Sequence, residues 1–368
     1  MAEIMKSNVK LKILDRYIIR KFIGTYFFAL LLIICIIVVF DLSEKIEKFI
    51  NNVPLSAIIF DYYLRLIPYY ASLFSPLFVF ITVIFFTSKM ASNTEIVAIL
   101  SSGVSFKRLL YPYFISAFIL AVFSLVLNLF IIPPSTKIRQ NFENTYIRRA
   151  YVNNDNNIHF QLNKNEYVYM SSFNTFGRIA QKFSLERIEN GELKSKLMSD
   201  YAQYDTVKNS WHIHEYFIRT INAAGQDSIS KGYDLDTVIN LNYADLASRD
   251  NVVEAMDFFE LRDYYRQQVL RGAGNTDSIL IEQHQRIAMP FSTFILTLIG
   301  VSLSSRKVRG GTGLHVGLGI GLGFTYILFM QFCKMFVQGG LTSAGIAVWI
   351  PNILFAMVGF VLYKMAPK

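Results

Sequence analysis

Across 368 residues the chain is 53% hydrophobic and only 17% charged, with 32 phenylalanines, a balance that polar surface cannot cover in water, so much of its solvent is lipid. The formal charge of +9 is unevenly placed: residues 134–285 carry 17 basic against 20 acidic side chains, and the other 216 positions carry 19 against 7. The basic excess thus belongs to the membrane part, where short cytoplasmic loops concentrate Lys and Arg, and this removes the main reason to expect a nucleic-acid partner.

Six charge-free stretches of membrane-crossing length follow one another at 22–40, 66–87, 109–132, 287–303, 313–333 and 341–363. Lys6, Lys10, Lys12, Arg16, Arg20 and Lys21 precede the first, and no small-residue cleavage site follows it, so it reads as an uncleaved span. Lys89, Lys107 and Arg108 join the second to the third, and Arg306, Lys307 and Arg309 join the fourth to the fifth. These clusters fall on one side, cytoplasmic by the positive-inside rule, together with both termini. Cys35 and Cys333 fall inside spans and read as packing residues, with no disulfide or zinc pairing suggested.

The segment 134–285 then lies on the opposite side. Residues 166–170, 183–188, 193–204 and 211–220 alternate or are rich in β-formers, and Asn190-Gly191 is a hairpin turn signal, so an antiparallel sandwich or jelly roll fits. Helical spacing over 256–271 leads back toward the fourth span. The expected fold class is membrane α-helical, six transmembrane helices with an inserted antiparallel β-jellyroll: 1–133 carries helices one to three, 134–285 the β domain and connecting helix, and 286–368 helices four to six.

Between the second and third spans, residues 88–108 are too apolar for a plain connector. Ser92 and Glu95 have capping-box spacing, so a short helix over about 94–102 is expected, stopped by Gly103. Two readings stand for it. In one it is a coupling helix whose Ile96, Ile99 and Leu100 fill a groove of a cytoplasmic subunit beside Glu95; in the other it lies on lipid headgroups and Glu95 serves only its own cap.

The fifth span sets Gly313, Gly317 and Gly321 on one helix face and Gly319 and Gly323 on a neighbouring one, a spacing that admits close approach by a helix of a partner subunit or of the same chain. No Gly-Lys-Ser or Gly-Lys-Thr occurs, so the chain carries no Walker A motif of its own. Lys45 and Lys48 stand just outside the first span, and Arg65 stands four residues after Asp61 at the start of the second. They snorkel or pair in one reading and touch the phosphates of an anionic membrane lipid in the other. His212 and His214 share a strand face, but no third ligand is evident and no metal is assigned. No nucleophile, base and orienting acid gather, so neither a catalytic site nor a cofactor is expected.

In their order along the chain, several of these segments carry a resemblance. They are Leu14-Asp-Arg-Tyr-Ile18, Asp41, Pro68 and Pro76, Glu95-Ile-Val-Ala-Ile-Leu-Ser-Ser-Gly103, Pro133 closing the third span, His284-Gln-Arg286, Pro290, Arg309-Gly-Gly, and Trp349-Ile-Pro-Asn352. Together they resemble the LptF/LptG permeases of lipopolysaccharide export, across nearly the full length. The resemblance implies an inner-membrane heterodimer with a paralogous permease subunit, driven by two cytoplasmic ATPase subunits. It also implies a periplasmic jellyroll that hands lipopolysaccharide to a jellyroll bridge protein. It places Glu95 at the acid of the family's coupling helix and Lys45 in register with lysines that engage lipid A phosphates, while Val39 stands where a basic residue is expected. The Asp-Arg-Tyr-Ile opening leans toward the LptG member. Two other readings are a subunit of a different ATP-driven lipid, lipoprotein or drug exporter, for which four spans are usual, and a non-transporting membrane scaffold.

Overall fold

The computed structural model describes residues 12–50, 53–147, 156–222, 225–241, 246, 252–270, 276–305 and 311–366. Lys6, Lys10, Arg306, Lys307 and Arg309 lie outside them. In chain order the helices are α1 (Ile13–Ile50), α2 (Leu55–Ser92), the short α3 (Glu95–Ser101), α4 (Phe106–Ile147), α5 (Phe258–Leu270), α6 (Thr276–Ser304), α7 (Gly311–Gln338) and α8 (Ala344–Met365). All but α3 and α5 are long and apolar enough to cross a membrane, which makes the six expected spans. The chain divides into two compact units, Met1–Arg139 with Leu280–Lys368, and Gln140–Ile279.

In the helical unit α2 is the central element. Its Val79, Val83, Phe86 and Met90 pack with Ile18, Phe22 and Tyr26 of α1 and Leu109, Tyr113 and Leu120 of α4. Its Phe80 and Ile84 pack with Leu296 and Ile299 of α6, Tyr326 and Met330 of α7 and Phe355 of α8. Lipid is as apolar as leucine, so close packing and buried hydrogen bonds hold such helices together. Tyr26 and Ser75 hydroxyls meet at 2.8 Å, Ser72 donates to Asn128 at 3.0 Å and Thr87 to Tyr113 at 3.0 Å. Asn352 ties three helices, accepting from Tyr326 at 2.9 Å and donating to the Ala288 carbonyl at 2.9 Å.

The helix of the third span does not end at Pro133. Helix α4 runs on to Ile147 through Pro133-Pro134, because the turn before them, Leu127–Ile131, widens to a π-helical one. The Ile132 N–H bonds the Leu127 carbonyl five residues back, a local register change that lets a helix pass two residues with no N–H to donate. Of the two cysteines, Cys333 is buried as expected but Cys35 is exposed on α1.

The second unit is an antiparallel sheet of β1 (Ile158–Gln161), β2 (Glu166–Met170), β3 (Ser172–Asn174), β4 (Ile179–Glu189), β5 (Glu192–Asp205), β6 (Ser210–Ile221) and β7 (Asp227–Thr237). The order is β1-β2-β4-β5-β6-β7, with β3 folded against β4, so chain neighbours are sheet neighbours. The inserted antiparallel β domain expected from the sequence is present. Asn190 and Gly191 both have positive φ, 53° and 80°, as the tight β4–β5 hairpin requires. One face is buried: Val168, Phe173, Phe183, Tyr204 and Ile213 surround Trp211, whose indole N–H reaches the Leu241 carbonyl at 3.2 Å. β7, which the sequence reading passed over, is exposed along most of its length and pairs only with β6 among the described residues.

Candidate functional site

The segment between the second and third spans folds as a rooted knuckle. α2 ends at Ser92, whose hydroxyl bonds back to the Lys89 carbonyl at 2.9 Å. The chain turns at Thr94, which is held in the left-handed region at φ 62°, a conformation that costs a β-branched residue about 1 kcal/mol or more. α3 then starts at Glu95. The expected capping box of Ser92 and Glu95 is therefore not formed: Ser92 belongs to the previous helix, and Glu95 accepts from the Asn93 amide at 3.3 Å. The reciprocal box occurs instead at Asp257 and Glu260. There Asp257 accepts from the Glu260 N–H at 2.8 Å, and Glu260 accepts from the Asp257 N–H at 3.0 Å. Gly103 stops the knuckle as expected, at φ 89°, with its N–H on the Leu100 carbonyl at 3.0 Å.

Ile96 corrects another expectation. It is 1% exposed, inside the core formed by α1, α2 and α4, with Ile99 and Leu100 half-buried against the same core. It anchors α3 rather than offering itself to a partner. The outward face consists of Val97 and Ala98 with Ser101 and Ser102, and Glu95 stands half-exposed at its start. Glu95 also lines a cleft of about 140 Å³ with Tyr17 and Lys21 of α1 and Lys89 of α2, so an acid and two lysines share one recess.

Next to this knuckle the ends of α1 and α4 are pinned. Ser105 caps α4, accepting from the Arg108 N–H at 3.3 Å, and the Arg108 guanidinium holds both oxygens of Asp15 at 2.7 and 2.6 Å. Asp15 is 1% exposed and also accepts from the Lys12 N–H at 2.9 Å. A forked pair of this kind fixes both the distance and the orientation of two helix ends. In the sequence Asp15 stands in a motif with no visible role, because its partner lies far along the chain.

The lysines at the other end of α1 behave differently from one another. Lys45 is bonded to the Asp41 carboxylate one turn back and to the Tyr62 hydroxyl of α2, and Tyr62 donates to Asp41 at 3.1 Å. Lys48 is exposed. Arg65 does not pair with Asp61, since α2 runs through a π-helical turn at Ile58–Tyr63 that changes their phase, and its Nε is buried without a hydrogen-bond partner.

The two glycine rows of α7 also separate. A Cβ on Gly319 would meet Ile84 at 2.6 Å, and one on Gly323 would meet Leu77 at 2.6 Å, so this row is the close contact with α2 inside the chain. Gly313, Gly317 and Gly321 have nothing within 4 Å and leave a bare, smooth face. On the β domain, His212 and His214 gain a neighbour the sequence reading did not find, Asp234 on β7, whose carboxylate lies within 4.8 Å of both ring donors.

The six spans and the inserted antiparallel sheet together describe a multi-pass membrane protein. No curated protein sequence matches the chain. The sequence pattern of the lipopolysaccharide export system permease LptF/LptG matches residues 16–365, nearly the whole length, and the chain belongs to that family of transport subunits.

Proposed function

We propose that this chain is the permease subunit of an ATP-driven exporter that extracts lipopolysaccharide from the inner membrane and passes it to a periplasmic bridge protein. α3 carries the coupling half of this reading. A transport subunit with no Walker A motif receives work through a contact surface. α3 offers a small exposed apolar patch, Val97 and Ala98, with Glu95 at its edge, on a helix that Ile96 roots in the spans. Force applied to such a helix is passed to α1, α2 and α4 because Ile96 and the Asp15–Arg108 clamp join them without a flexible linker. Lys89, Lys107 and Arg108 flank the knuckle, which supports a cytoplasmic position for it, for both termini and for two ATPase subunits below. The β domain is then periplasmic. Among the described residues β7 is one edge strand of its sheet, and an open strand edge suits strand addition by the next jellyroll.

The bare Gly313, Gly317 and Gly321 face of α7 supports a heterodimer with a paralogous permease, because small residues four apart let a second helix approach closely. The Leu14-Asp-Arg-Tyr-Ile18 opening favours the LptG member. For lipid phosphates, exposed Lys48 is the available donor of the three, the Arg65 Nε being unpartnered but buried, and Lys45 reaches a phosphate only by leaving Asp41 and Tyr62.

The test is purification of the full chain from its native membrane with partners and lipid retained. The reading expects a cytoplasmic ATPase, a second permease of the same family, and lipopolysaccharide. Recovery of the ATPase with a different lipid or a drug-type substrate would assign the chain to another exporter, and recovery of neither ATPase nor lipid would leave a scaffold.

A further inference from the structure

We propose that His212, His214 and Asp234 form a binding site for a divalent transition-metal ion of the zinc class on the open face of the β domain, with Asp236 orienting His212. The strand pairing places the donors. In the antiparallel β6–β7 ladder His212 stands directly opposite Asp236, and His214 opposite Asp234. Trp211 and Ile213 turn into the buried face, so the two histidines between and after them turn outward. Two successive cross-strand pairs therefore bring two imidazoles and two carboxylates to one patch.

The distances fit a common ion. Asp234 Oδ1 lies 3.2 Å from His212 Nε2 and 2.9 Å from His214 Nδ1, and the three donors all lie within 4.8 Å of one another. Ligands at about 2.0–2.1 Å from a tetrahedral zinc ion are separated by about 3.3 Å; the two Asp234 contacts already have about that spacing, and the two imidazole nitrogens, within 4.8 Å of each other, have to draw together. Two imidazole nitrogens with one carboxylate favour zinc or its first-row neighbours over magnesium or calcium. His212 Nδ1 is held by Asp236 at 2.5 Å, the carboxylate contact that fixes the tautomer and leaves Nε2 free for a metal. The His214 ring stacks on Tyr201, with centroids 4.6 Å apart and planes 29° apart, which holds its orientation. The fourth position is open to solvent, since the Asp234 side chain is 62% exposed. A bound ion joins the edge strand β7 to β6 through side chains as well as backbone. The site does not depend on the transport reading.

The experiment uses the full-length protein in detergent with a tag that contains no histidine, stripped by chelator and then titrated with Co2+ and with Zn2+. The proposal expects one Co2+ per chain with the visible absorption of a low-coordinate site, displaced by Zn2+. His212→Gln and His214→Gln should each weaken binding about tenfold or more, and Asp236→Asn should weaken it about 10–100-fold while keeping the stoichiometry. His159→Gln, away from the cluster in the sheet register, should bind as the parent does. Melting of the metal-free variants checks that each is folded. Equal uptake by the parent and the His212→Gln, His214→Gln double variant would overturn the site and leave the four side chains as a plain ion-pair cluster, as would an equal loss in His159→Gln.

Discussion

Helices α1 and α2 are each 38 residues long, and α1 is the more apolar, with a mean hydropathy of 2.9 against 2.0 in their most apolar windows. Yet only 17% of that window is buried within the chain in α1, against 72% in α2. In water the more apolar helix would go inside; in a bilayer apolarity selects nothing, and small and hydrogen-bonding residues decide. α2 buries Ser72, Ser75, Thr82, Thr87 and Ser88 and is met by Gly319 and Gly323 of α7. The same division runs through α3 and α7, each of which has one face locked into the chain and one left bare. The locked faces build the fold, and the bare ones are what a partner, a lipid or an ATPase has to work with.

Substitutions on paired faces break or sharpen this contrast. The largest difference is expected within α3. Ile96→Ala should cost about 2–5 kcal/mol by leaving a cavity in the core, whereas Val97→Ala, one residue on and exposed, should stay within about 0.5 kcal/mol, both read as melting of the detergent-solubilised protein. Equal effects would mean that α3 is not rooted as described. Next comes Arg108→Ala, which leaves the Asp15 carboxylate buried with only the Lys12 N–H. Because the Arg108 side chain is 36% exposed, the loss should be about 2 kcal/mol, short of the full penalty for a buried pair. Asp15→Asn with Arg108→Gln, which removes both charges, should recover part of it.

The third contrast lies on α7. Gly323→Ile should cost about 1–3 kcal/mol because its side chain would enter the space of Leu77, and Gly317→Ile should leave the isolated chain's melting unchanged while weakening assembly with a second permease. A Gly317 variant that assembles normally would show that lipid, not a subunit, covers that face. The smallest effect is expected from Lys48→Ala, within about 0.5 kcal/mol, since this lysine is exposed. Lys45→Met should be felt more, because it leaves Asp41 and Tyr62 without their cation.

The sequence disclosed what rests on long, local patterns: six apolar runs, four strands with strong alternation, the Asn190-Gly191 turn and the α5 helix. It concealed β7, whose Ser228, Lys231, Asp234 and Asp236 make an exposed edge strand look like a loop, and with it the carboxylates opposite His212 and His214. The repeat of Asp at 234 and 236, two residues apart like the histidines, was the available signal. The knuckle is legible in the sequence, but its cap and its inward face are not. Capping-box spacing occurs at both Ser92–Glu95 and Asp257–Glu260, and only tertiary context decides which forms: at the first, α2 still claims Ser92. A seven-residue helix shows no periodicity that tells core from surface, so nothing in the sequence turns Ile96 inward. Asp15–Arg108 escaped for a simpler reason, since a pair 93 residues apart leaves no local trace.

The central claim is that work enters through α3, and Glu95→Lys in the full-length chain tests it most directly. Glu95 is half-exposed at the start of the bare face, so charge reversal spares the core. A charge pair desolvated against a basic residue of an ATPase and then broken costs about 2–5 kcal/mol, enough to lose the partner. The variant should lose no more than about 1 kcal/mol from bringing a third cation to the recess of Lys21 and Lys89, insert in the membrane, and come away from purification without the ATPase and without export activity. If Glu95→Lys instead retains the ATPase at the parent's stoichiometry and exports lipopolysaccharide at the parent's rate, α3 is not the coupling element.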